Sequence, residues 1–387
     1  MDDDRLIIRG PLVMAEDIWD DAELVITGGK ISAIHTRPFH ARTRYRTPDR
    51  LIAPGLIDTH IHGSLGDDVM DGQETGLRRM AAYLASQGTT GFTPTTMSGS
   101  TTDLLKALTV VREVMRSPRP TEAQIFGVHM EGPFLSPSFA GAQNPTFLRL
   151  PDSHEMRQYI DAAPVRLMTL APELPGWDRI WPMFRQHGVI ASLGHSAISF
   201  DEAQRVILEG RIRHGTHLFN GMPPLHHRDP GPAGALLASS QAVCEVICDG
   251  IHVHPEWVRV VSRLLGERLV LVTDAMRATG LPDGQYDLGG QTITVRDGVA
   301  RTGDGSLAGS TLTLWQAVRN FRAFTGCDWP AAFRAASLRP AALLGMEQAK
   351  GSIAVGKDAD LIWVDPDSGR VERTLVNGRL SWEADPS

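Results

Sequence analysis

The fold is decided by the stretch Leu51-Ile52-Ala53-Pro54-Gly55-Leu56-Ile57-Asp58-Thr59-His60-Ile61-His62-Gly63. A largely apolar run leads to His60 and His62, two imidazoles separated by one apolar residue. Side chains at positions i and i+2 of a strand point to the same side of the sheet. The pattern therefore predicts a buried strand that presents both imidazoles at its carboxyl end, where the active sites of α/β barrels lie.

The middle of the chain, residues 54–345, repeats a pattern of strand followed by helix. Short apolar runs end in polar or glycine-rich turns, and helical patterns such as 102–115 and 201–209 lie between them. Repeated units of this kind favour a parallel sheet with crossover helices. Eight units that close on themselves form a (β/α)8 TIM-like barrel of about 250 residues, for which this segment is long enough. The apolar runs include residues 124–130, 166–171, 189–193, 242–248 and 268–272.

Both ends of the chain are rich in predicted strands. They lie at residues 6–9, 23–27 and 30–34, and again at 359–364 and 371–376, with a hairpin signal at Asn377-Gly378. A further hairpin is predicted over 291–301, late in the barrel, because of its Asp297-Gly298 turn. We therefore predict an α/β fold with two domains. Residues 1–53 plus 346–387 form a small β-sandwich domain from both chain termini, and residues 54–345 form the barrel.

The composition excludes several classes of protein. The chain has 387 residues, 42% hydrophobic and 21% charged, so it can build a sizeable core. Its 38 Lys+Arg against 45 Asp+Glu give a net charge of −7, which argues against nucleic acid as a partner. We expect no membrane span, because no apolar stretch reaches about 18 residues, and the first residues do not have the pattern of a signal peptide. Three cysteines without a paired spacing favour a reducing, cytoplasmic compartment.

Histidine and acidic side chains follow most of the predicted barrel strands. Imidazole nitrogens together with carboxylate oxygens are the ligand set of a catalytic Zn²⁺ or Fe²⁺. The spacing indicates two subsites, one of His60, His62 and Glu131 and one of Glu131, His195 and His217, with the Glu131 carboxylate bridging them. We therefore predict one or two divalent metal ions, Zn or Fe, in each subunit.

Asp274 follows the apolar run 269–272 and completes the predicted site. A metal ion lowers the pKa of its bound water towards ~7, so that hydroxide is available at neutral pH. Asp274 would take the proton from that water and return it to a leaving amine. Other mechanisms are excluded, because the chain has no G-x-S-x-G, no G-x-x-x-x-G-K-[ST] and no H-E-x-x-H pattern. Lys106, the lysine within the barrel, falls in a helical pattern and is a poor candidate for a Schiff base or a carbamate.

These motifs resemble those of the amidohydrolase superfamily and, within it, the N-acetylglucosamine-6-phosphate deacetylase family. The resemblance runs over nearly the whole chain. The H-x-H pair is typical of the superfamily, whereas two strings are specific to these deacetylases: His129-Met130-Glu131-Gly132-Pro133 and Thr216-His217-Leu218-Phe219-Asn220-Gly221-Met222. The other matching strings are Gly88-Thr89-Thr90, Gly194-His195-Ser196, Asp249-Gly250-Ile251-His252, Val272-Thr273-Asp274-Ala275 and Leu307-Ala308-Gly309-Ser310.

The resemblance implies a (β/α)8 barrel with a small β-sandwich made from both chain ends. It also implies hydrolysis of N-acetylglucosamine 6-phosphate to glucosamine 6-phosphate and acetate. In this reading Glu131, His195 and His217 are metal ligands, and Asp274 is the catalytic acid/base. Some members carry Gln and Asn in place of the H-x-H pair and keep one metal. Because this chain retains His60 and His62, a second metal ion is expected.

The resemblance also implies the contacts to an amino-sugar phosphate. His252 would be catalytic, since it would polarise the acetamide carbonyl and support the oxyanion. Arg228 would bind the 6-phosphate through a charge-assisted fork, and in the family this arginine reaches the neighbouring subunit's site, which implies a homodimer. The remaining positions implied to bind substrate are Ala142, Gln143, Asn220, Gly221, Leu307, Ala308 and Gly309.

One departure from the family pattern leaves the sugar open. Where the family usually has a lysine and a G-[AT]-H-N-P stretch, this chain reads Phe139-Ala140-Gly141-Ala142-Gln143-Asn144-Pro145. Gln143 can hydrogen-bond a sugar or phosphate oxygen, but it cannot be cationic. The substrate could therefore be N-acetylgalactosamine 6-phosphate or another N-acyl amino-sugar. More distant alternatives are a cyclic-amide hydrolase of the same superfamily and a non-catalytic metal-binding barrel.

Overall fold

The structure is a computed structural model that describes residues 5–36 and 50–385. Within these ranges the strands are, in chain order, β1 (Arg5–Val13), β2 (Ile18–Thr27), β3 (Lys30–Thr36), β4 (Leu51–Pro54), β5 (Leu56–Ile61), β6 (Gly63–Ser64), β7 (Asp67–Asp68), β8 (Thr89–Thr96), β9 (Gln124–Ile125), β10 (Val128–Glu131), β11 (Val165–Leu170), β12 (Ile190–Leu193), β13 (His214–Gly215), β14 (Val243–Ile247), β15 (Leu269–Val272), β16 (Gly284–Leu288), β17 (Gln291–Arg296), β18 (Val299–Arg301), β19 (Leu361–Val364), β20 (Val371–Val376) and β21 (Arg379–Glu383).

Helices alternate with the strands through the middle of the chain. They are α1 (Glu74–Ser86), α2 (Thr101–Arg116), α3 (Ser153–Ala162), α4 (Trp177–His187), α5 (Phe200–Leu208), α6 (Gly231–Ala238), α7 (Pro255–Leu265), α8 (Leu314–Thr325), α9 (Trp329–Ala336) and α10 (Leu338–Leu343). Short 3₁₀ turns cover Val69–Asp71, Pro137–Phe139, Pro145–Phe147 and Gly266–Arg268. In the described part of the chain, no helix combines the length and apolar character that a bilayer crossing requires.

The central sheet is a parallel barrel, as predicted. Its strand order is β5-β8-β10-β11-β12-β13-β14-β15, with β9 pairing beside β8. Closure occurs just beyond the ends of β5 and β15. There the backbone N–H of Asp274 donates to the carbonyl of His60, and that of His62 donates to the carbonyl of Ala275, each at 2.9 Å. These backbone bonds join the first and last strands of the sheet and bring Asp274 beside the H-x-H pair.

The barrel strands are buried on both faces because helices cover their outer side. Every residue of β5, β8 and β15 is buried, which is typical of parallel strands packed between two layers. Helix α2 shows how the outer layer forms. Its buried residues Leu104, Leu108 and Val111 recur at helical spacing, and Ser100 caps its start by accepting from the backbone N–H of Asp103.

Both chain ends contribute to one seven-stranded sheet, which confirms the predicted β-rich domain from the two termini. Its order is β21-β20-β19-β4-β1-β2-β3, so the amino-terminal and carboxyl-terminal strands meet where β4 pairs antiparallel with β19. The sheet has its own apolar cluster, which includes Leu12, Leu24, Leu361 and Leu375. The domain limits 1–53 plus 346–387 and 54–345 stay a prediction.

A three-stranded antiparallel sheet, β16-β17-β18, is inserted after β15. The predicted hairpin over 291–301 is confirmed, and β16 adds a third strand that its sequence pattern did not indicate. Leu288 and Ile293 from this sheet pack with Met276 and Ala308. The amide of Gln291 donates to the carbonyl of Ala142 at 2.7 Å. The insertion is thereby tied to the loop that follows β10.

Candidate metal centre and active site

The predicted ligand side chains meet at the carboxyl mouth of the barrel. Each lies in the last two residues of a barrel strand or within two residues after it, and all six are buried. Because the carboxyl ends of parallel strands share one mouth, residues far apart in sequence converge there. The six residues are His60, His62, Glu131, His195, His217 and Asp274.

Three of these residues stand on unusual backbone. His195, His217 and Asp274 have φ values of 47°, 26° and 49°. Non-glycine residues rarely adopt positive φ, and such conformations persist only where the surroundings hold them, often at functional sites. Here the N–H of His217 donates to the carboxylate of Glu245 at 3.1 Å, and the N–H of Asp274 donates to the carbonyl of His60. The turns after β13 and β15 are thus fixed so that His217 and Asp274 face the cluster.

The first candidate subsite contains Glu131, His195 and His217, which the structure brings together. Oε1 of Glu131 lies 3.1 Å from Nε2 of His195 and 2.8 Å from Nε2 of His217. The two Nε2 atoms are 3.1 Å apart. Three donor atoms of the kinds that bind Zn²⁺ or Fe²⁺ therefore converge on one point.

The second subsite contains the predicted H-x-H pair and one residue more. The Nε2 atoms of His60 and His62 are 3.2 Å apart. Glu131 lies 3.6 and 3.3 Å from them, so its carboxylate stands between the two subsites. Asp274, which the sequence pattern assigned only to proton transfer, places Oδ1 at 3.4 and 3.2 Å from the same two nitrogens. Asp274 is thus also a candidate ligand.

The hydrogen bonds of the rings fit a bound cation. Nδ1 of His62 lies 3.1 Å from the carbonyl of Thr95, and Nδ1 of His195 lies 2.7 Å from the carbonyl of Phe139. Since carbonyls only accept, these Nδ1 atoms carry the proton, and in the neutral ring Nε2 is left as a lone pair. Lone pairs and carboxylate oxygens facing one another at 3 Å repel unless a positive charge lies between them. The cluster therefore has the donor set of a metal centre.

The charges of the cluster point the same way. Burial disfavours the charged form of His60, but the carboxylates of Glu245, Asp274 and Glu131 outweigh this and raise its pKa to about 9. Burial would raise the pKa of Asp274, but His60 and His62 outweigh it and lower that pKa to about 2. Burial likewise opposes ionisation of Glu131, yet His60 and the other imidazoles hold its pKa well below its usual range. The carboxylates are therefore ionised and attract positive charge to this place, either a second proton on His60 or a metal ion that replaces it.

His252 lies in the same cavity and has a carboxylate partner. Its Nδ1 donates to Oδ2 of Asp249 at 2.6 Å. Burial raises the pKa of Asp249, but the hydrogen bond and charge of His252 outweigh it, so the net shift is downward. The contact with Asp249 engages Nδ1 and leaves Nε2 as the ring atom open to a ligand. Sequence reasoning quoted Asp249 within a motif but assigned it no role.

Gln143 makes contacts that its sequence pattern did not predict. Its amide donates to Oε2 of Glu131 at 2.7 Å, and its carbonyl accepts from the backbone N–H of Ser98 at 2.7 Å. The side chain lines the cavity but is hydrogen-bonded at both ends within the protein. A contact from Gln143 to a sugar stays a prediction, whereas its contact to a candidate metal ligand is direct.

Of the seven other predicted substrate positions, five line the cavity and two do not. Ala142, Asn220, Gly221, Leu307 and Gly309 line the same cavity as the cluster, which has a volume of about 370 Å³. Ala308 packs in the core behind it, and its backbone N–H donates to the carbonyl of Ala300. Arg228 lies in an exposed loop outside the cavity, where its guanidinium lies 3.0 Å from Nε2 of His227. Within one subunit, Arg228 therefore does not line the cavity that would hold the ligand.

Sequence reasoning missed two interior residues, Glu245 and His129. Nδ1 of His60 donates to Glu245 at 2.9 Å, and His129 lies between the carbonyl of Thr59 and the hydroxyl of Thr169. The signal for Glu245 was a single carboxylate within the apolar run 242–248. His129 stands two residues before Glu131, so both project into the barrel. His214 is also buried, and its Nδ1 lies 2.8 Å from the hydroxyl of Ser192.

A larger cavity, of about 670 Å³, lies between the terminal sheet and the barrel, lined by residues that include Lys30, Arg119 and Asn377. The clusters of potential metal ligands found among the described residues all lie at the barrel mouth or directly beneath it, not in this cavity. By volume alone the larger cavity would be the candidate active site, but the potential metal ligands lie in the smaller one.

Comparisons with known proteins agree with this site. A profile of the amidohydrolase family matches residues 184–381. N-acetylglucosamine-6-phosphate deacetylase from Bacillus subtilis is 37% identical over 392 residues, covering 98% of both chains. The chain belongs to the N-acetylglucosamine-6-phosphate deacetylase family of amidohydrolases.

Further members and neighbours of this deacetylase family bear on the fold and the sugar. A variant of N-acetyl-D-glucosamine-6-phosphate deacetylase from Mycobacterium smegmatis, solved with N-acetyl-D-glucosamine-6-phosphate, superposes with a TM-score of 0.89. It is 32% identical, covering 97% of this chain and 99% of that one. N-acetylgalactosamine-6-phosphate deacetylase from Escherichia coli O157:H7 is 36% identical, covering 97% of this chain and 99% of its own length. The family fixes the fold and the deacetylase chemistry, and its members differ in the sugar.

Proposed function

We propose that this chain removes the acetyl group from N-acetylglucosamine 6-phosphate, giving glucosamine 6-phosphate and acetate. The observation that carries the proposal is the convergence of Glu131, His195, His217 and Asp274 in one cavity of about 370 Å³. That volume lies in the range of small-molecule sites. Membership of the deacetylase family supports the same reaction.

Two sets of side chains would hold divalent metal ions. Glu131, His195 and His217 form one set, and His60 and His62 form the other together with the carboxylates of Glu131 and Asp274. Nitrogen and oxygen donors without cysteine suit Zn²⁺ or Fe²⁺. A bound ion of this kind makes water reactive at neutral pH and polarises a carbonyl oxygen.

Asp274 would move the proton of the reaction. Its carboxylate would accept a proton from the attacking water as the water oxygen bonds to the acetyl carbon. The same proton would pass to the amine nitrogen as the C–N bond breaks, so the water oxygen leaves in acetate. The side chain is only 12% exposed and lines the cavity, so it meets the substrate rather than bulk water.

His252 would stabilise the charge that develops on the carbonyl oxygen. Asp249 holds Nδ1 of the ring at 2.6 Å, and Nε2 would donate to that oxygen when it also carries a proton. Donors fixed in advance at the position of a developing charge are among the larger contributions to catalysis. The sugar would contact Ala142, Gln143, Asn220, Gly221 and the backbone of residues 307–309, most of which line the cavity.

Arg228 would bind the 6-phosphate in the site of a neighbouring subunit of a homodimer. Its exposed position outside its own subunit's cavity supports this arrangement. Exposed apolar side chains at and before α7 also support a subunit contact, since such patches often mark interfaces. They are Ile251, Trp257, Val260 and Leu264.

We further propose a cytoplasmic location, which suits three free cysteines.

A second candidate substrate is N-acetylgalactosamine 6-phosphate. The Escherichia coli relative that carries this name is 36% identical, close to the value for the Bacillus subtilis deacetylase. The two sugars differ in the configuration at C4, so the contacts of the sugar ring rather than the metal cluster would select between them. The ratio of kcat/KM for the two sugar phosphates decides the substrate.

The test uses purified protein of measured metal content. Acetate release is measured from both sugar phosphates and from unphosphorylated N-acetylglucosamine, with Zn²⁺ or Fe²⁺ supplied. We expect release from the phosphorylated sugars and one or two metal ions per subunit. A metal-replete protein that releases no acetate from either sugar phosphate would contradict the proposed function.

A further inference from the structure

We propose that Glu245 is a positioning residue that holds one histidine in each of the two metal subsites. This inference rests on the metal centre proposed above. Glu245 lies in β14 with no exposed surface, directly beneath the ligand cluster. Its Oε2 atom accepts two hydrogen bonds, from Nδ1 of His60 at 2.9 Å and from the backbone N–H of His217 at 3.1 Å. One oxygen atom therefore contacts residues of both subsites.

The contact to His60 determines which nitrogen of that ring is available to a metal ion. A carboxylate accepts the Nδ1 proton, so in the neutral ring the Nε2 lone pair faces His62 and Asp274. His62 and His195 have neutral carbonyls in the equivalent position. A charged acceptor makes the ring a stronger electron donor at Nε2 than a neutral one does. Among these three imidazoles, His60 is therefore the one held by the strongest partner.

The contact to His217 holds a strained turn. His217 has a φ of 26°, which non-glycine residues rarely adopt. The side chain of Glu245 accepts from the N–H of His217, and its backbone carbonyl accepts from the N–H of Leu218 at 2.9 Å. Two successive amides of the turn are thus bonded to one residue. This fixes the turn in the conformation that places Nε2 of His217 at 2.8 Å from Glu131.

The remaining contacts of Glu245 do not explain why a carboxylate is buried there. Its other oxygen, Oε1, has no hydrogen-bond partner among the described residues, and Nε2 of His214 lies 3.6 Å from it. A buried ionised carboxylate is costly unless it is paired. If residue 245 had only a structural role, a neutral side chain with fewer unpaired polar atoms would fill it better. Beside a cationic metal centre, both the negative charge of Glu245 and the two hydrogen bonds that it accepts are favourable.

The test is Glu245→Gln, which keeps the shape and removes the charge. Metal is stripped, and the affinity of the apo-protein for Zn²⁺ is measured by competition with a chromophoric chelator; Co²⁺ spectra report the ligand set. We expect Zn²⁺ affinity to fall about 10- to 100-fold. The matched control is Glu122→Gln, which removes a buried carboxylate paired with Arg78 at 2.9 Å away from the site. Zn²⁺ affinity should be unchanged in this control.

The route through His60 is tested by combining substitutions. In a His60→Ala background, Glu245→Gln should lower Zn²⁺ affinity by a smaller factor than in the wild type, because part of its effect passes through that ring. An undiminished effect would overturn this route. Unchanged affinity in the single variant, with a wild type that binds metal, would overturn the inference alone. A folded wild type that binds no metal would overturn the proposed metal centre as well.

A second measurement does not need a folded variant at residue 245. Histidine labelled with ¹⁵N in the wild-type, Zn²⁺-replete protein should give a strongly downfield Nδ1–H resonance that is lost in His60→Ala. Such a resonance is expected of a ring that donates to a carboxylate. A His60 ring whose proton lies on Nε2 would contradict the proposed role of Glu245.

Discussion

The amide of Gln143 donates to Oε2 of Glu131 across 2.7 Å, while its carbonyl accepts from the backbone N–H of Ser98. The side chain therefore ties the carboxylate that stands between the two subsites to the end of the neighbouring strand β8. This relationship changes what a substitution at position 143 is expected to do, because it acts on the metal centre before it acts on the sugar.

We expect Gln143→Ala to lower Zn²⁺ affinity and kcat, each by about tenfold, because Glu131 loses a fixed donor on Oε2. Chelator competition and steady-state kinetics measure the two quantities. The matched control is Gln291→Ala, whose amide bonds the same loop at the carbonyl of Ala142 but does not contact Glu131. A rise in KM alone, with metal binding intact, would instead show that Gln143 contacts the sugar.

Asp274→Asn should lower kcat by about 10²- to 10⁴-fold, because an amide cannot accept the proton of the attacking water. Acetate release from the sugar phosphate gives the rate, and metal analysis shows whether the second subsite still fills. Asp287→Asn, at an exposed position, is the control. Undiminished turnover in Asp274→Asn would show that another group moves the proton, whereas no acetate release from either protein would favour the non-catalytic barrel.

Metal removal should destabilise the protein. A ligand that binds only the folded state raises stability in proportion to RT ln(1 + [L]/Kd), so Tm should rise with added Zn²⁺ after chelation. His195→Ala should largely lose this dependence because a donor of the first subsite is gone. His154→Ala, which changes an exposed histidine of α3, should retain it. A wild-type Tm that does not change with added Zn²⁺ would contradict the metal centre.

Glu155 should contribute stability that is lost in acid. Burial raises its pKa, but hydrogen bonds from Arg149, Thr101 and Tyr159 outweigh this and lower the pKa from its ordinary value of 4.5. Its contribution is therefore complete above about pH 4.5 and falls as the pH drops through the lowered pKa. Glu155→Gln should lower stability near neutral pH and flatten the acid limb of the profile, measured by urea unfolding. Parallel profiles for the two proteins would argue against this pairing.

The homodimer with a shared site predicts complementation. Arg228→Ala should raise KM for the sugar phosphate with little change for unphosphorylated substrate, because it removes a phosphate contact. Mixing Arg228→Ala with Asp274→Asn subunits should restore activity, since each hybrid dimer regains one complete site. Arg205→Ala, at an exposed helical position, is the control. Mixtures that are no more active than the separate variants would place the arginine elsewhere.

Much of the fold and of the site membership followed from local patterns. The apolar run before His60 and His62, and the acidic or histidine residues after later runs, predicted strands with ligands at their ends. The rule that parallel strands of a barrel share one mouth then brought Glu131, His195 and His217 together. Strand β16 was not predicted, because only its last residue, Leu288, is buried and the four residues before it are exposed or partly exposed.

The sequence by itself determined which side chains could form a metal centre, since strand alternation and strand ends are local properties. Only the tertiary structure decided their partners: Asp274 beside the H-x-H pair, Gln143 on Glu131, and Glu245 beneath His60 and His217. These pairs join residues from different strands and loops. Their distances depend on where the barrel closes and on turns with positive φ, and periodicity within one segment carries no information about either.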